Sequence, residues 1–248
     1  MADIQSSGNG IAALRNVMSM VTLVQRVIDR AESLPGMATY YGPSGYGKSS
    51  AAAYAANVFN AIHIETRSTW TKKTFCEVLI REMGLPPART VANMVEEISR
   101  ELRKSGRPLL IDEADTAVDR GFLEMIRDIY EISDGAVILI GEEDLPTKLT
   151  RSERIHGRML DWVAAEPAVI DDVDHLSPYY AAGIEIDAPL KEQLLTESGH
   201  SIRRICVNLA SLREHGLTHG LARITKKDWA TSGRHFFSGK PPRPRGLK

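Results

Sequence analysis

Cysteine is nearly missing from this 248-residue chain: Cys76 and Cys206 are its two examples, and they stand far apart. That excludes a disulfide scaffold and any cysteine-based metal motif, and it reads as buried small hydrophobes in a reducing compartment. The seven histidines do not recur at ligand spacing either. No apolar run approaches the roughly 20 residues that a membrane span needs. The opening Met1-Ala2-Asp3-Ile4-Gln5-Ser6-Ser7 lacks the basic stretch and apolar core of a secretion signal, so the expected location is cytoplasmic, with no membrane partner. Excess charge is also absent. The net formal charge is −1, so there is no global positive field, and contact with a polyanion must come from local patches. With 43% hydrophobic residues, the chain has ample material for one large domain or two unequal ones.

What is present is a glycine pattern. Gly42-Pro43-Ser44-Gly45-Tyr46-Gly47-Lys48-Ser49 fits G-x-x-x-x-G-K-[ST] at every fixed position. Glycines let backbone N–H groups turn inward onto phosphate oxygens, where a Cβ would block the approach. Lys48 would reach the β- and γ-phosphates, and the Ser49 hydroxyl would ligate Mg²⁺. The flanks suit an anion site: Met37–Tyr41 reads as a buried strand, and Ser50 opens an alanine-rich helical stretch. ATP with Mg²⁺ is therefore the expected cofactor pair. Pro108–Glu113 adds an apolar run ending in two carboxylates, as expected of a central parallel strand whose carboxyl end meets a ligand. Asp112 would hold the Mg²⁺ shell and Glu113 would polarise the attacking water. An acidic helix start explains Glu113-Ala114-Asp115 but not the buried run before it.

Residues 11–32 carry apolar positions at Ile11, Leu14, Val17, Met18, Val21, Val24 and Ile28, which predicts an amphipathic helix ended by Leu34-Pro35-Gly36. Further strands are expected over 61–65, 136–141 and 159–163. Helices are expected over 71–83, 91–104, 122–130 and 145–150. The alternation implies a five-stranded parallel sheet with helices on both faces. Past Val169 the strands stop, and helices over 190–197, 202–214 and 226–230 predict a small all-α region. The division is then an N-terminal helix (1–32), a nucleotide core (33–168), a helical lid (169–232) and a basic tail (233–248). That tail holds Arg234, Lys240, Arg243, Arg245 and Lys248 with no acid, and its prolines exclude regular structure.

A P-loop core followed by a helical lid resembles the AAA+ ATPases over roughly residues 33–232. The resemblance implies a sensor 2 arginine, for which Arg203 fits best and Arg204 second, in Ser198-Gly199-His200-Ser201-Ile202-Arg203-Arg204. It also implies an arginine finger directed into a neighbouring subunit's site, with Arg151, Arg154 and Arg158 as candidates and Arg154 and Arg158 preferred. Ion pairing with Glu153 and Asp161 is the competing reading of these arginines. Within AAA+ proteins, the run LPGM…YYGPSGYGKS, RPLLIDEAD, ILIGEEDLPTKL and ERIHGRMLDW resembles the transposition protein B of Mu-like phages and the target-selection ATPases of Tn7-like elements. That likeness implies an ATP-dependent protein of a bacterial host cell that assembles on duplex DNA, selects target DNA and recruits or stimulates a transposase.

Two departures stand out. The Mu protein's N-terminal helix-turn-helix does not fit in the 32 residues before the core. Sensor 1 normally presents Asn, Thr or Ser, whereas Gly141-Glu142-Glu143-Asp144 follows the fourth strand here. The family's DNA-facing surface follows the second strand, and in this chain it maps to Thr66–Lys73. Hydroxyls and cations there suit phosphate contacts from Arg67, Lys72 and Lys73, with little base discrimination. A few contacts per subunit make affinity depend on self-association. A helicase loader or replication-initiator ATPase shares this core, and a small-molecule P-loop kinase is the alternative from another class.

Overall fold

The computed structural model describes residues 14–240. Ile11 of the expected first helix and the tail residues 241–248 lie outside that range. The chain divides into two compact units, one spanning residues 16–166 and the other built mainly from residues 167 onward.

The larger unit is organised by five parallel strands, β1 (Met37–Tyr41), β2 (Ile62–Glu65), β3 (Leu109–Asp112), β4 (Val137–Gly141) and β5 (Met159–Ala164), in the order β2-β3-β4-β1-β5. All residues of β3 and β4 are buried, as unbroken apolar runs such as Leu109-Leu110-Ile111 require once helices cover both faces. The chain leaves β1 for the far edge at β2, returns through β3 and β4 to β1's side, and places β5 beyond β1. The carboxyl ends of β1, β3 and β4 therefore lie together at the reversal in strand order, where ligands bind in open parallel sheets.

Helices fill the connections. Lys48–Phe59 buries only Ala51, Ala52 and Ala55, small side chains that allow close approach. Lys72–Glu82 contributes Phe75, Cys76, Leu79 and Ile80; Val91–Ser105 contributes Met94, Ile98 and Leu102; Leu123–Ser133 contributes Ile126 and Ile129. These side chains join those of β2, β3 and β4 in one core cluster. Cys76 is buried in it, and burial pushes its thiol up to about 12, so it behaves as a core residue. The first helix runs over Arg15–Ile28, and its buried stripe is Val17, Met20, Leu23, Val24 and Val27. That stripe is rotated from the expected one, leaving Met18 exposed.

The smaller unit is helical as expected, with helices Ile170–Tyr180, Ala188–Glu197, Ile202–His219 and Lys226–Thr231. It adds one feature: a two-residue parallel pairing of β6 (Glu185–Ile186) with β7 (Arg223–Ile224). Residues 233–240 are anchored within this unit. The buried Asn208 side chain donates to the Phe237 carbonyl and accepts from its N–H, and Phe236 stacks on Trp229 at 4.9 Å. Among the described residues, no helix is long and apolar enough to cross a membrane.

Candidate functional site

The site starts from the loop between β1 and the helix Lys48–Phe59. Gly42, Gly45 and Gly47 take φ values of +151°, +87° and +84°, which L side chains adopt only with strain. A Cβ on Gly42 would lie 3.1 Å from the Ala165 methyl. Strand ends fix the loop's entry: Gly42 N–H donates to Gly141 O (3.2 Å), and Ala165 N–H to Tyr41 O (2.7 Å). The loop's far side is held by a residue that sequence reasoning missed. Asn16, buried in the first helix, donates to Tyr46 O (2.9 Å) and Glu166 O (2.8 Å) and accepts from Glu166 N–H (2.9 Å). Tyr40 adds its hydroxyl to Asn16, and burial pushes that phenol up to about 12. A polar residue on a buried helix face was the one available signal for Asn16.

Lys48 Nζ donates to the carbonyls of Gly42 (2.6 Å) and Pro43 (3.0 Å). Burial lowers its pKa, and the negative charges of Asp112, Glu113, Glu142 and Asp115 oppose that shift. One ammonium thus faces four carboxylates around the loop. Ser49 and Ser50 are exposed in the helix's first turn, where free N–H groups favour an anion.

Asp112 ends β3 and is buried, with Oδ1 accepting the N–H of Glu113 at 2.9 Å. Glu113 has φ +53°, a left-handed conformation that for glutamate costs about 1–3 kcal/mol and tends to occur at functional sites. Burial raises its pKa, as do Asp112, Glu142 and Glu65 in that order, while Lys48 opposes them. Ser49 and Asp112 offer one hydroxyl and one carboxylate, hard oxygen donors of the kind Mg²⁺ takes from protein when phosphates and water complete its shell. No cluster of three or more His, Cys, Asp or Glu side chains that could hold a metal ion exists among the described residues. The donor set therefore fits a Mg²⁺ carried in with nucleotide.

The loop after β4 is secured from the same segment. Asp115 Oδ2 accepts the Glu142 N–H at 2.6 Å, and Lys148 Nζ lies 3.3 Å from Oδ1 and 3.1 Å from Asp119. Gly141 has no room for a side chain, since a Cβ there would sit 2.1 Å from Asp115 Oδ2. Where the resemblance would put sensor 1, then, the backbone of Glu142 is bound by a buried carboxylate, and its side chain is exposed.

The other expected residues scatter. Arg158 pairs with Glu131 of its own chain (2.7 Å), and Asp161 pairs with Arg26, so neither of the anticipated acidic partners is used by it. Arg154 is exposed on the short helix Glu153–His156. Arg203 is exposed in the first turn of Ile202–His219, and Arg204 lies against Gly239 in the same unit. Arg67, Lys72 and Lys73 are all exposed after β2, and Thr71 caps the helix that the two lysines begin. Lys73 also lies 3.8 Å from Glu77. Trp70 is partly buried, with its ring edge-on to Phe75 at 6.4 Å.

This chain resembles known proteins at the level of this architecture. Residues 31–149 match the family model described as an AAA domain. No curated protein matches at a significant level. Among solved structures, Cdc6p from Pyrobaculum aerophilum superposes with a TM-score of 0.64 at 14% identity, covering 94% of this chain and 66% of that one. The ADP form of ORC2 from Aeropyrum pernix gives 0.63 at 12% identity, covering 86% and 67%. ORC1 from Aeropyrum pernix, solved in complex with DNA, gives 0.61 at 14% identity, covering 88% and 63%. This chain thus spans about two thirds of the length of each neighbour, and at such identities the likeness is one of fold. Residues 31–149, which carry the glycine loop and the Asp112-Glu113 pair at the carboxyl ends of β1 and β3, are thus similar to an AAA domain, and the chain shares the fold of the ORC and Cdc6 structures.

Proposed function

We propose that this protein is an ATP-dependent DNA-binding ATPase that assembles on duplex DNA and acts in transposition by choosing target DNA and engaging a transposase. The observation that carries the ATPase reading is the convergence of Lys48, Asp112 and Glu113 on one mouth of the sheet, with Glu113 held left-handed behind the buried Asp112. In this reading the loop 42–49, with Ser50, holds the phosphates. Lys48 compensates their charge, Ser49 and Asp112 hold Mg²⁺, and Glu113 orients and deprotonates the attacking water. Bound Mg²⁺ would supply charge neutralisation of the transferring phosphoryl group. Arg203 serves as sensor 2. Arg154 is the better finger for a neighbour's γ-phosphate, because Arg158 would first have to leave Glu131.

The DNA reading rests on the exposed cations Arg67, Lys72 and Lys73 around a helix start, and the DNA-bound ORC1 neighbour supports it. The transposition role rests on the motif-level resemblance to the Mu-like and Tn7-like ATPases. A second reading, a replication initiator or helicase loader, is favoured by the fold likeness to ORC and Cdc6 proteins. Electron microscopy of the protein on duplex DNA, with and without ATP, tests the shared part: ATP-dependent filaments or rings are expected, and their absence refutes assembly. Stimulation of a transposase set against loading of a helicase, in reconstituted assays, separates the two roles.

A further inference from the structure

The segment that carries the catalytic pair also grips the candidate DNA loop at three points. At the loop's start, the Thr66 N–H donates to the Asp112 carbonyl at 2.9 Å. At its end, the Arg120 guanidinium donates twice to the Trp70 carbonyl, from Nε at 3.3 Å and from a terminal nitrogen at 3.0 Å. Between these anchors the chain makes a turn closed by the Trp70 N–H on Arg67 O. The third grip is aromatic: Trp70 packs edge-on to Phe75, and Phe75 lies 5.5 Å from Phe122, two residues beyond Arg120.

Asp112 and Arg120 are joined by Glu113 and the six-residue helix Ala114–Asp119, a rigid piece about 9 Å long. That piece is also bound to the loop after β4, through Asp115 and the Glu142 N–H. Any movement of the Glu113–Asp115 backbone on nucleotide exchange is therefore carried to Arg120. From there it passes to the carbonyl that fixes the orientation of Arg67 and of the helix start bearing Lys72 and Lys73.

We infer that Arg120 is a positioning residue that couples the nucleotide state to the DNA-facing loop by holding the Trp70 carbonyl. The inference rests on reading residues 66–73 as the DNA contact. Its energetic content is a linkage: nucleotide changes DNA affinity, and DNA changes nucleotide affinity by the same factor. Two donors on one carbonyl are a geometric clamp that a neutral side chain cannot reproduce, so removing Arg120 leaves the loop's cations present but no longer oriented by the Asp112–Arg120 piece.

The test uses the full chain with Arg120→Ala and, in parallel, Arg120→Met, which keeps the aliphatic stem should alanine impair folding. DNA affinity is measured with a non-hydrolysable ATP analogue and with ADP, across a salt series, beside thermal unfolding and DNA-free ATP turnover. The ratio of affinities in the two nucleotide states should fall by about fivefold or more, within the usual range for coupled sites. DNA-free turnover and the salt slope should stay unchanged. An unchanged ratio overturns the coupling. So does an equal loss of affinity in both states with the salt slope reduced by about 0.9, which marks Arg120 as a direct phosphate contact. A wild-type protein that binds no DNA in either state refutes the DNA reading, and the coupling with it.

Discussion

Adding one methyl group at Gly141 tests how the sheet and the segment carrying Asp112 and Glu113 are locked together. A Cβ there would lie 2.1 Å from Asp115 Oδ2, 3.2 Å from its Cγ and 2.7 Å from a Leu145 methyl. The leucine contact is the far end of a flexible side chain and yields. The carboxylate is not free to yield, because it accepts the Glu142 N–H at 2.6 Å and lies 3.3 Å from Lys148 Nζ. Gly141→Ala therefore displaces Asp115. Overpacking costs about 1–3 kcal/mol, and loss of a hydrogen bond to a charged acceptor costs about 1.5–3 kcal/mol. A total of about 2.5–6 kcal/mol lowers the unfolding temperature by roughly 5–24 °C at this chain length. Turnover should fall about tenfold or more, since Gly141 O also holds the Gly42 N–H at the phosphate loop's entry. The decisive assay is a double-mutant cycle followed by thermal unfolding. With Asp115→Ala the obstructing carboxylate is gone, so the double variant should be more stable than the sum of the singles predicts, by about 1 kcal/mol or more. Strict additivity, or a Gly141→Ala protein with wild-type stability and turnover, would refute the lock.

Lys48→Ala should abolish ATP binding, read by nucleotide titration, and ATP-dependent DNA binding with it; retention of the latter would sink the dependence of DNA binding on ATP. Glu113→Gln should keep ATP bound and lengthen residence on DNA, while wild-type turnover in that variant removes Glu113 from the chemistry. Replacing Arg67, Lys72 and Lys73 together with alanine should leave ATP binding intact and reduce the log–log salt slope of DNA binding by about 2.7 per engaged subunit, at about 0.9 per contact; an unchanged slope moves the DNA contact elsewhere. His215 supplies a pH test. It is buried, and burial first, then His219 and Arg234, push its pKa below the ordinary histidine value, with Asp228 opposing. Folding therefore favours the neutral ring: the stability is present above about pH 6.5 and lost as pH falls through the depressed folded value. Thermal unfolding between pH 7.5 and about 5 should show that loss, and His215→Phe should flatten it.

The parts of this protein that rest on local chemistry were legible in its residues. Glycines at fixed spacing must turn the backbone inward whatever surrounds them, and an apolar run such as Leu109-Leu110-Ile111 must be covered on both faces. The left-handed glycines of the loop 42–49 and the buried strand that ends in Asp112 follow from those two constraints. The helix Ile170–Tyr180 is not among the expected ones; its Pro178 falls in the last turn, where it leaves the helix intact, and the pairing of β6 with β7 is too short to leave any alternation. The face of the first helix was misjudged by a fraction of a turn, since Met18 and Met20 are equally apolar and only the sheet beneath decides between them.

Tertiary structure alone decided the rest. The order β2-β3-β4-β1-β5 determines which strand ends meet, and no periodicity records it. Asn16 on the Tyr46 carbonyl, Asp115 on the Glu142 N–H and Arg120 on the Trp70 carbonyl all join side chains to backbone groups distant in sequence. Every residue offers the same carbonyl and N–H, so such a bond marks neither partner in the sequence. It comes into being when folding brings the two segments within reach, and that is why the turn of the loop could be read from its letters while the means of holding it could not.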